Sequence, residues 1–491
     1  MAFSQIANSG TVACLARSIT AVRVQKLLGS SWERSPVYAA LADGLRLLIS
    51  DGRIPAGTRL PSERDLTSVL GVSRTTVTRA YDQLRERGYL RSRQGSGSVA
   101  SVPHVAGGRN DSVLSPGHGD ADALDLTCAA PVSPPGVAAA FEAAVDELPV
   151  YLGGTGYFPS GLPALKARIA ERYTERGLTT TPDQIIVTNG ALAAIAVVAR
   201  ALLTVGDRVV VETPGYPNSL ASLQRTGARL TGTAVDPDGW DTDAVRATIR
   251  QIAPAAAFLV PDFHNPTGSL MPDEQRAEIA EALRASRAVT VVDETLVEMA
   301  LDEVTMPAPM AAHVADCISI GSASKAFWGG LRVGWIRSPH TRIGDLISAR
   351  LALDLGAPLV EQLALTHLMS IRTEVLGHHR EQLRASRQAL AESLASALPE
   401  WRFVMPRGGL ALWCELPEPL STALAASAER QGVLLAPGPS FTSDGSHERF
   451  VRLPYSRSAE ELVVAVERLA VAWEDAQRHR RTKRTGVPLV A

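Results

Sequence analysis

The chain has 491 residues, which exceeds the length of one typical domain and favours two or three domains. Hydrophobic residues make up 45% and charged residues 20%, as in ordinary globular proteins, and the formal net charge of -2 excludes a uniformly basic or acidic chain. The four cysteines, Cys14, Cys128, Cys317 and Cys414, are far apart and lack zinc-ligand spacing, so they fit a reducing compartment and predict no metal site.

The N-terminal extension, residues 1–35, has neither a basic leader nor a long apolar run. Its apolar residues are only loosely helical in spacing, and we assign it no function. The longest apolar stretch, from Ala191 to Ala199, is closed by Arg200 and is too short to cross a bilayer. We therefore expect a cytoplasmic protein with no membrane partner.

Residues 36–100 carry a three-helix pattern. The apolar residues between positions 37 and 49 fall on one face of a first helix. Ser62 can cap a second helix, which Gly71 would end. Ser73 can cap the third helix.

Two short helices joined by a tight glycine turn would place the start of the last helix in the major groove of double-stranded DNA. The side chains there that would face bases and phosphates are Arg74, Thr75, Thr76 and Thr78. Residues 88–100 then predict a two-stranded wing with a glycine tip. Positions 36–98 hold ten arginines against six acidic residues, which concentrates positive charge where phosphates would lie. The alternative is a small folded appendage with a basic face.

Three further segments follow the wing. Residues 101–124 are rich in Gly, Pro, Ser and Asp, which indicates a linker. From 125 to 475, short apolar strands alternate with amphipathic helices, which predicts an α/β fold with a mostly parallel sheet. Residues 476–491 form a basic tail, for which a solvated, disordered end is the expected state and DNA contact the alternative.

Chemically distinctive residues stand at the ends of the predicted strands. Lys325 follows an apolar strand in a turn rich in glycine and serine, where desolvation would lower its pKa and make it a nucleophile. Asp293 ends another apolar strand, where a carboxylate is costly unless a cation meets it. Asn265 offers an amide donor, and its bond to Pro266 is a candidate for the cis form.

A turn that could bind an anion is predicted at positions 189–191, where an apolar strand meets a helix. The backbone N–H groups of Asn189, Gly190 and Ala191 and the helix dipole would point at the anion. Further donors close to Lys325 in sequence are Ser322, Ser324 and Arg332.

A ring that could stack on a planar ligand is supplied by Tyr216, which follows a glycine after a strand. An amine, a carboxylate, phosphate donors and a stacking ring are together what a pyridoxal phosphate site needs. Taken singly, each motif has a commoner interpretation: a surface lysine, a strand-end turn residue, an Asn-Pro turn and a core tyrosine.

The string LPSERDLTSVLGVSRTTVTRAYDQLRERGYLRSRQGSGSV resembles the winged helix-turn-helix of the GntR family over essentially its full length. The resemblance implies DNA contacts by the following residues: Arg64, Arg74, Thr75 and Thr76, with Gln94 and Gly95 in the wing. Thr78 is a departure, because some family members carry a second arginine of the recognition helix there.

From about residue 125 to the C-terminal region, the motifs resemble those of fold-type-I aminotransferases. The resemblance implies a small C-terminal α+β subdomain and pyridoxal 5'-phosphate as cofactor. Lys325 would form the Schiff base, Asp293 would bind the pyridine nitrogen and Asn265 the 3-oxygen, and Tyr216 would stack on the ring.

The same resemblance assigns the outer parts of the site. The phosphate would be bound by Gly190, Ala191, Ser322 and Arg332. Tyr157 would arrive from a partner subunit, and Arg452 would bind the carboxylate of a substrate or effector.

The sequence departs from the aminotransferase pattern three residues after Asp293. The family usually carries a tyrosine there that also bonds the 3-oxygen, whereas this chain has Leu296. An apolar side chain cannot donate that hydrogen bond, so the departure puts efficient transamination in doubt.

A GntR-type domain joined to an aminotransferase-like domain resembles the MocR regulators over nearly the whole chain. The resemblance implies a transcription regulator that forms a domain-swapped homodimer and senses an amino compound or pyridoxal phosphate through Lys325. The rival hypotheses are a working aminotransferase with an appended DNA-binding domain, and a scaffold that binds no cofactor.

Overall fold

The computed structural model describes residues 18–30, 32–50, 53–54, 57–93, 97–101 and 123–485. The described residues fall into two compact units, which we call the head (18–101) and the body (123–485). The predicted wing residues Gln94 and Gly95 lie outside the described residues.

The head is a helical unit with a two-stranded wing. Its elements are α1 (Ala21–Leu28), α2 (Val37–Ser50), α3 (Glu63–Leu70), α4 (Arg74–Glu86), β1 (Leu90–Arg93) and β2 (Gly97–Ala100). The Ser62 hydroxyl accepts from the Asp65 N–H at 3.1 Å and the Ser73 hydroxyl accepts from the Thr76 N–H at 3.1 Å. Both hydroxyls therefore cap helices as predicted, because each satisfies an N–H that has no partner within its helix.

The N-terminal extension, to which we assigned no function, contains the regular helix α1. Val24 is fully buried and Leu28 is 4% exposed, and both belong to the apolar core that α2, α3 and α4 share. The Thr20 hydroxyl caps this helix by accepting from the Arg23 N–H at 3.2 Å. The expectation of only loose helicity was therefore wrong, since the spacing of Ala21, Val24 and Leu28 suffices for one buried face.

The body alternates strands with helices. Its first half contains β3 (Leu124–Asp125), α5 (Val137–Glu147), α6 (Pro163–Glu175), β4 (Ile185–Thr188), α7 (Ala191–Leu202), β5 (Arg208–Thr213), α8 (Pro217–Gln224), β6 (Arg229–Asp236), β7 (Gly239–Trp240), α9 (Thr242–Ile252) and β8 (Ala256–Leu259). Its second half contains α10 (Asp273–Ser286), β9 (Val289–Asp293), α11 (Met310–His313), β10 (Cys317–Ser322), α12 (Ala323–Ala326), β11 (Gly334–Arg337), α13 (His340–Leu351), α14 (Leu359–Ser370), α15 (Arg372–Ala397), β12 (Ala411–Glu415), α16 (Ser421–Arg430), β13 (Val433–Leu434), β14 (Ala436–Pro437), β15 (Phe450–Pro454) and α17 (Ala459–Thr485).

Within the described residues the central sheet has the strand order β4-β11-β10-β9-β8-β5-β6-β7. Strands β10, β9, β8, β5 and β6 run parallel, whereas β11 is antiparallel to both of its neighbours. Helices cover both faces, since Val210 packs into one apolar cluster and its neighbours Val209 and Val211 into another. The predicted α/β class with a mostly parallel sheet is confirmed.

The C-terminal part of the body builds a smaller α+β subdomain. Strands β12, β15 and β14 form an antiparallel sheet, and β3 pairs in parallel with β13. Helix α17 runs through the start of the predicted basic tail to Thr485, and Ala476 is buried at 3% exposure. The expectation of disorder from residue 476 was wrong as far as Thr485, because Trp473 and Ala476 continue the buried face of the helix.

Candidate functional site

A cavity of about 540 Å³ opens at the carboxyl ends of β8, β9 and β10, where ligands bind in open α/β sheets. It brings together most of the body residues singled out from the sequence: Ala191, Tyr216, Asn265, Asp293, Ser322, Ser324, Lys325, Arg332 and Arg452. Residues that are distant in the chain therefore meet because consecutive strands end at one edge of the sheet.

Lys325 lies in α12, directly after β10, and is half-buried. Its Nζ donates to the Ala129 carbonyl at 2.8 Å, which holds the amine at the cavity wall. Burial lowers the pKa of this amine most; Cys128 and Asp293 act to raise it, whereas Arg452 and Arg332 lower it further. A lysine with a lowered pKa is more readily the neutral amine that can act as a nucleophile.

Asp293 ends β9 at 8% exposure and faces the cavity. One carboxyl oxygen accepts from the Thr295 N–H at 2.9 Å. Burial raises the pKa of this carboxyl, against the lowering effect of Lys325 and the Thr295 hydrogen bonds. A bound cation would offset the cost of keeping this carboxylate ionised.

Asn265 and Arg452 meet in the same cavity. Arg452 is 2% exposed, and its Nη1 donates to Asn265 Oδ1 at 3.3 Å, while its Nη2 donates to the Thr127 carbonyl. Burial lowers the pKa of Arg452 to about 10, and no carboxylate of the described residues lies within 4 Å of it. The peptide bond between Asn265 and Pro266 is cis, which confirms that hypothesis.

The predicted anion-binding turn lies where β4 ends and α7 begins. Gly190 is the N-cap of α7 and has no side chain to satisfy the first N–H groups of the helix. A Cβ at Gly190 would lie 2.6 Å from Arg332 Nη2, and the left-handed φ of 85° at this position favours glycine. Arg332 itself adopts a left-handed φ of 50°, which is a strained conformation that favours glycine.

Other predicted residues lie around this turn. Asn189 is outside the cavity lining, and its Nδ2 donates to Asp354 at 3.1 Å, while its buried Oδ1 has no partner among the described residues. The Ser322 hydroxyl accepts from the Ser324 N–H at 3.2 Å, and both serines are buried. Ser322 and Ser324 thus line the cavity within one turn of Lys325.

Two residues fit a catalytic site of this subunit poorly. Leu296 lines the cavity and offers no hydrogen-bond donor where the aminotransferase pattern has a tyrosine. Tyr157 is 64% exposed and does not line the cavity.

Sequence reasoning missed several residues of this cavity. Cys128 and the main chain of Ala129 reach it from the segment after β3, and His264 lines it beside Asn265. Behind His264 lies Glu212, which is 3% exposed and accepts from Trp240 Nε1 at 2.6 Å. No local motif marks these contacts, since they join segments that are far apart in the sequence.

The donor set of the cavity fits pyridoxal 5'-phosphate. Lys325 supplies an amine, Asp293 a buried carboxylate for a ring nitrogen, and Tyr216 an aromatic ring. The start of α7 and Arg332 supply N–H groups for a phosphate. The buried Nε of Arg452 has no hydrogen-bond partner among the described residues and is available to an anionic group of a ligand.

In the head, most residues predicted to contact DNA are open to solvent. Arg64, Ser73, Arg74 and Thr75 are exposed and Thr76 is half-buried at the start of α4. The Thr78 hydroxyl instead donates to Glu63 at 2.7 Å, which joins α4 to α3. Its position favours a role in holding the two helices together.

The geometry defines a class of protein: a winged helix-turn-helix head joined to an aminotransferase-like body. Residues 152–469 match the family of aminotransferases of class I and II, and residues 37–99 match the bacterial regulatory proteins of the gntR family. The chain belongs to the aminotransferase class I and II family, and its GntR-type head makes it a MocR-like helix-turn-helix transcription regulator.

Curated relatives share this architecture. The chain is 27% identical over 464 residues to the uncharacterized HTH-type transcriptional regulator YisV of Bacillus subtilis, covering 87% of this chain and 94% of that protein. It is 33% identical to the probable rhizopine catabolism regulatory protein MocR of Rhizobium meliloti, covering 62% of this chain and 66% of that protein.

Solved structures resemble the body. The α-aminoadipate aminotransferase LysN of Thermus thermophilus, complexed with N-(5'-phosphopyridoxyl)-L-leucine, matches with a TM-score of 0.67 at 28% identity. The match covers 73% of this chain and 94% of that enzyme. The family and this neighbour identify pyridoxal 5'-phosphate as the cofactor. Across the described residues, no helix is long and apolar enough to span a membrane.

Proposed function

We propose that this regulator senses an amino compound, or pyridoxal phosphate itself, at Lys325 and changes its binding to DNA in response. The observation that carries the proposal is a chain with a GntR-type head whose body holds Lys325, Asp293 and Arg452 in one cavity. Pyridoxal phosphate supplies an aldehyde that bonds reversibly to amines. A ligand can shift the regulator only if it binds one arrangement of the protein better than the other.

Each residue of the cavity has a role in the proposal. Lys325 holds the cofactor's aldehyde carbon, Asp293 its pyridine nitrogen and Asn265 its 3-oxygen, while Tyr216 stacks on the ring. The phosphate is bound by Asn189, Gly190, Ala191, Ser322, Ser324 and Arg332. Support comes from the uncapped start of α7 and from the close approach of Arg332 to Gly190.

Arg452 selects an effector that carries a carboxylate. Its guanidinium is buried, retains an unpartnered Nε and has no acidic partner within 4 Å among the described residues. A buried cation of this kind gains most from a ligand that brings the missing negative charge. The effector is therefore an amino acid or a related amine with an acidic group.

The proposal includes a domain-swapped homodimer in which the partner supplies Tyr157. Apolar side chains are exposed on two neighbouring segments of the body: Val150, Leu152 and Tyr157 on one, and Leu353 and Leu355 on the other. The segments are adjacent, since a Cβ at Gly356 would lie 2.8 Å from the Phe158 carbonyl. An exposed apolar surface of this kind is typical of a subunit interface.

In the head, the proposal assigns DNA contacts to Arg64, Ser73, Arg74, Thr75, Thr76 and Thr78, with Gln94 and Gly95 in the wing. Thr78 would act mainly through its bond to Glu63. A partner in the form of chromosomal DNA also supports a cytoplasmic location. The domain limits proposed from the sequence, 36–100 for DNA binding and 125–475 for the cofactor, are part of the same proposal.

A working aminotransferase is the second candidate function. The cavity holds an amine, a carboxylate and a carboxylate-binding arginine, which is the equipment that such an enzyme needs. Leu296 argues against efficient turnover. It leaves this wall of the cavity without the tyrosine hydroxyl that would donate a hydrogen bond to the cofactor's 3-oxygen.

The test uses full-length protein reconstituted with pyridoxal phosphate. Borohydride reduction followed by peptide mass spectrometry should place the adduct on Lys325, and Lys325→Ala should remain colourless. A panel of amino acids should then change the absorbance stoichiometrically without sustained keto acid formation. Sustained turnover would favour the enzyme, and a colourless wild type would favour a scaffold without cofactor.

A further inference from the structure

The body contains a second cleft, of about 580 Å³, between α6, the segment after β9 and α15. Five arginines and four carboxylates line it. We call it the arginine cleft and define it by Arg172, Arg176, Arg372, Arg380, Arg384 and Glu298. It shares no lining residue with the cofactor cavity.

Four of the five arginines of this cleft have a carboxylate partner: Arg176 Nη1 donates to Glu294 at 3.3 Å, and Arg372 Nη2 donates to Glu175 at 2.7 Å. Glu298 accepts from Arg172 Nε at 2.6 Å and, at 3.5 Å, from Arg380 Nη2, so one carboxylate serves two guanidinium groups. The Arg172 side chain is 4% exposed, yet its Nη1 has no partner among the described residues. The Nη2 of Arg176 is buried and makes no hydrogen bond to the described residues, but it lies 3.9 Å from an Asp262 carboxylate oxygen.

Two arginines of α15 donate hydrogen bonds to main-chain carbonyl groups. Arg380 Nε donates to the Glu298 carbonyl at 2.8 Å, and Arg384 Nε donates to the Leu301 carbonyl. No carboxylate of the described chain lies within 4 Å of Arg384. Burial lowers the pKa of Arg380, and Arg384 and Arg372 add to this effect despite Glu298, as expected where cations crowd together.

The arginine cleft and the cofactor cavity share a wall. Leu296 lines the cavity, while the next residues, Val297 and Glu298, line the cleft. On α15, Arg380 follows His379, whose Nε2 lies 3.1 Å from the Lys325 carbonyl oxygen. A ligand in the cleft would therefore contact residues adjacent to two walls of the cofactor site.

We propose that the arginine cleft binds a small dianion with a phosphate or dicarboxylate group, at a site separate from the cofactor cavity. The planar fork of a guanidinium matches two oxygens of such an anion, which makes arginine well suited to both groups. An anion would also supply the acidic partner that Arg384 lacks among the described residues and an acceptor for the buried Nη1 of Arg172. This site goes beyond the proposed sensing at Lys325 and does not depend on it.

The experiment is isothermal titration of full-length protein loaded with pyridoxal phosphate, so that the cofactor's own phosphate position is filled. Inorganic phosphate and succinate are titrated separately at constant ionic strength, which distinguishes the two sources of the dianion. We expect saturable binding of at least one of them at one site per chain. Arg384→Ala should weaken that binding at least tenfold, whereas Arg250→Ala, an exposed arginine on α9, should not change it.

Three outcomes would overturn the proposal. They are the absence of saturable binding, binding that survives Arg384→Ala, and binding that is lost in Arg332→Ala alone, which would place the anion in the cofactor cavity. Circular dichroism checks that each variant is folded. Should Arg384→Ala be unfolded, Arg384→Lys keeps the charge but loses the fork, and we expect it to weaken binding at least threefold.

Discussion

Lys325 and Asp293 lie in one cavity with their pKa values shifted toward each other. Burial lowers the pKa of the amine and raises that of the carboxyl, so ionising either group at this position has a free-energy cost. A cofactor with an aldehyde and a protonated ring nitrogen would relieve both. The two residues whose ionised forms are disfavoured by burial are thus the two that would bind the cofactor's ring nitrogen and aldehyde.

The first prediction concerns Leu296→Tyr. A phenol at this wall of the cavity adds the hydrogen-bond donor that the aminotransferase pattern has, and it should favour the deprotonated cofactor-lysine linkage. The absorbance of the bound cofactor should therefore titrate at least one pH unit lower than in the wild type. Leu296→Phe is the matched control, with the ring but without the hydroxyl. Equal midpoints in Leu296→Tyr and the wild type would show that Leu296 does not tune the site.

Glu212 and His264 form a second buried pair behind the cofactor cavity. Their closest oxygen and nitrogen lie 3.5 Å apart, but burial raises the pKa of Glu212 to about 8 and lowers that of His264 to about 3. Near neutral pH both groups are therefore held uncharged, and the contact is not an ion pair. The Trp240 and Val260 N–H groups partly offset the cost for Glu212.

The second prediction is a pH dependence of stability from Glu212. Its pKa is raised on folding, so the folded chain binds more protons than the unfolded chain between the ordinary carboxyl value of 4.5 and about 8. The free energy of unfolding should fall with rising pH in this window, by up to about 1.4 kcal/mol per unit. His264 acts oppositely, and only below 6.5, so the clean window is pH 6.5 to 8. Thermal unfolding of Glu212→Gln should show a shallower slope there, and identical slopes would contradict the assignment.

The candidate site divides into residues that the sequence can reveal and residues that it cannot. Lys325, Asp293 and Asn265 stand in local motifs at strand ends. Because the carboxyl ends of parallel strands lie at one edge of the sheet, the parallel sheet places these three residues close together. Cys128, Glu212 and His379 reach the site through contacts between distant segments. The left-handed conformation of Arg332 and the approach of its guanidinium to Gly190 are likewise not encoded by a local pattern.

The third prediction concerns helix α4 and its contact with DNA. Arg74 is exposed at the start of the capped helix, where groove contacts are made, whereas Arg87 lies just past its other end and pairs with Asp43 at 3.1 Å. Arg74→Ala should weaken DNA binding by about 1–3 kcal/mol, and Arg87→Ala should leave it nearly unchanged. Fluorescence anisotropy over a range of salt concentrations measures both. An equal loss of DNA affinity in the two variants would mean that the N-terminal end of α4 is not the part that contacts the DNA groove.

The fourth prediction compares the effects on stability of replacing two valines of helix α1. Val24 is fully buried in the head, whereas Val22 is 65% exposed. Val24→Ala should lower the free energy of unfolding of the head by roughly 1–3 kcal/mol, because it removes buried apolar surface. Val22→Ala should change it by less than about 0.5 kcal/mol. Differential scanning calorimetry compares them, and equal stability of the two variants would remove α1 from the core.

Some helices and strands of this chain can be predicted from sequence patterns alone, and others cannot. Alternating strands and helices predict the central sheet, and Ser62 and Ser73 predict two helix starts through cap chemistry that is local. The short helix α1 carries only three buried positions, and its stability comes from packing against α3. In α17, Trp473 and Ala476 are likewise buried.

At the scale of the whole molecule, one chain joins a unit that reads DNA to a unit that binds an amine-reactive cofactor. The two units each have an apolar core of their own, as separate domains do. A chain that only catalysed transamination would have no use for the first unit. A chain that only bound DNA would have no use for a buried Lys325.

Genomic footprinting of the wild type and of Lys325→Ala, each with and without pyridoxal phosphate, tests this joint function most directly. The account predicts discrete sites whose occupancy by the wild type changes when the cofactor is supplied, and no such change for Lys325→Ala. Identical occupancy in all four samples would contradict the coupling of Lys325 to DNA binding.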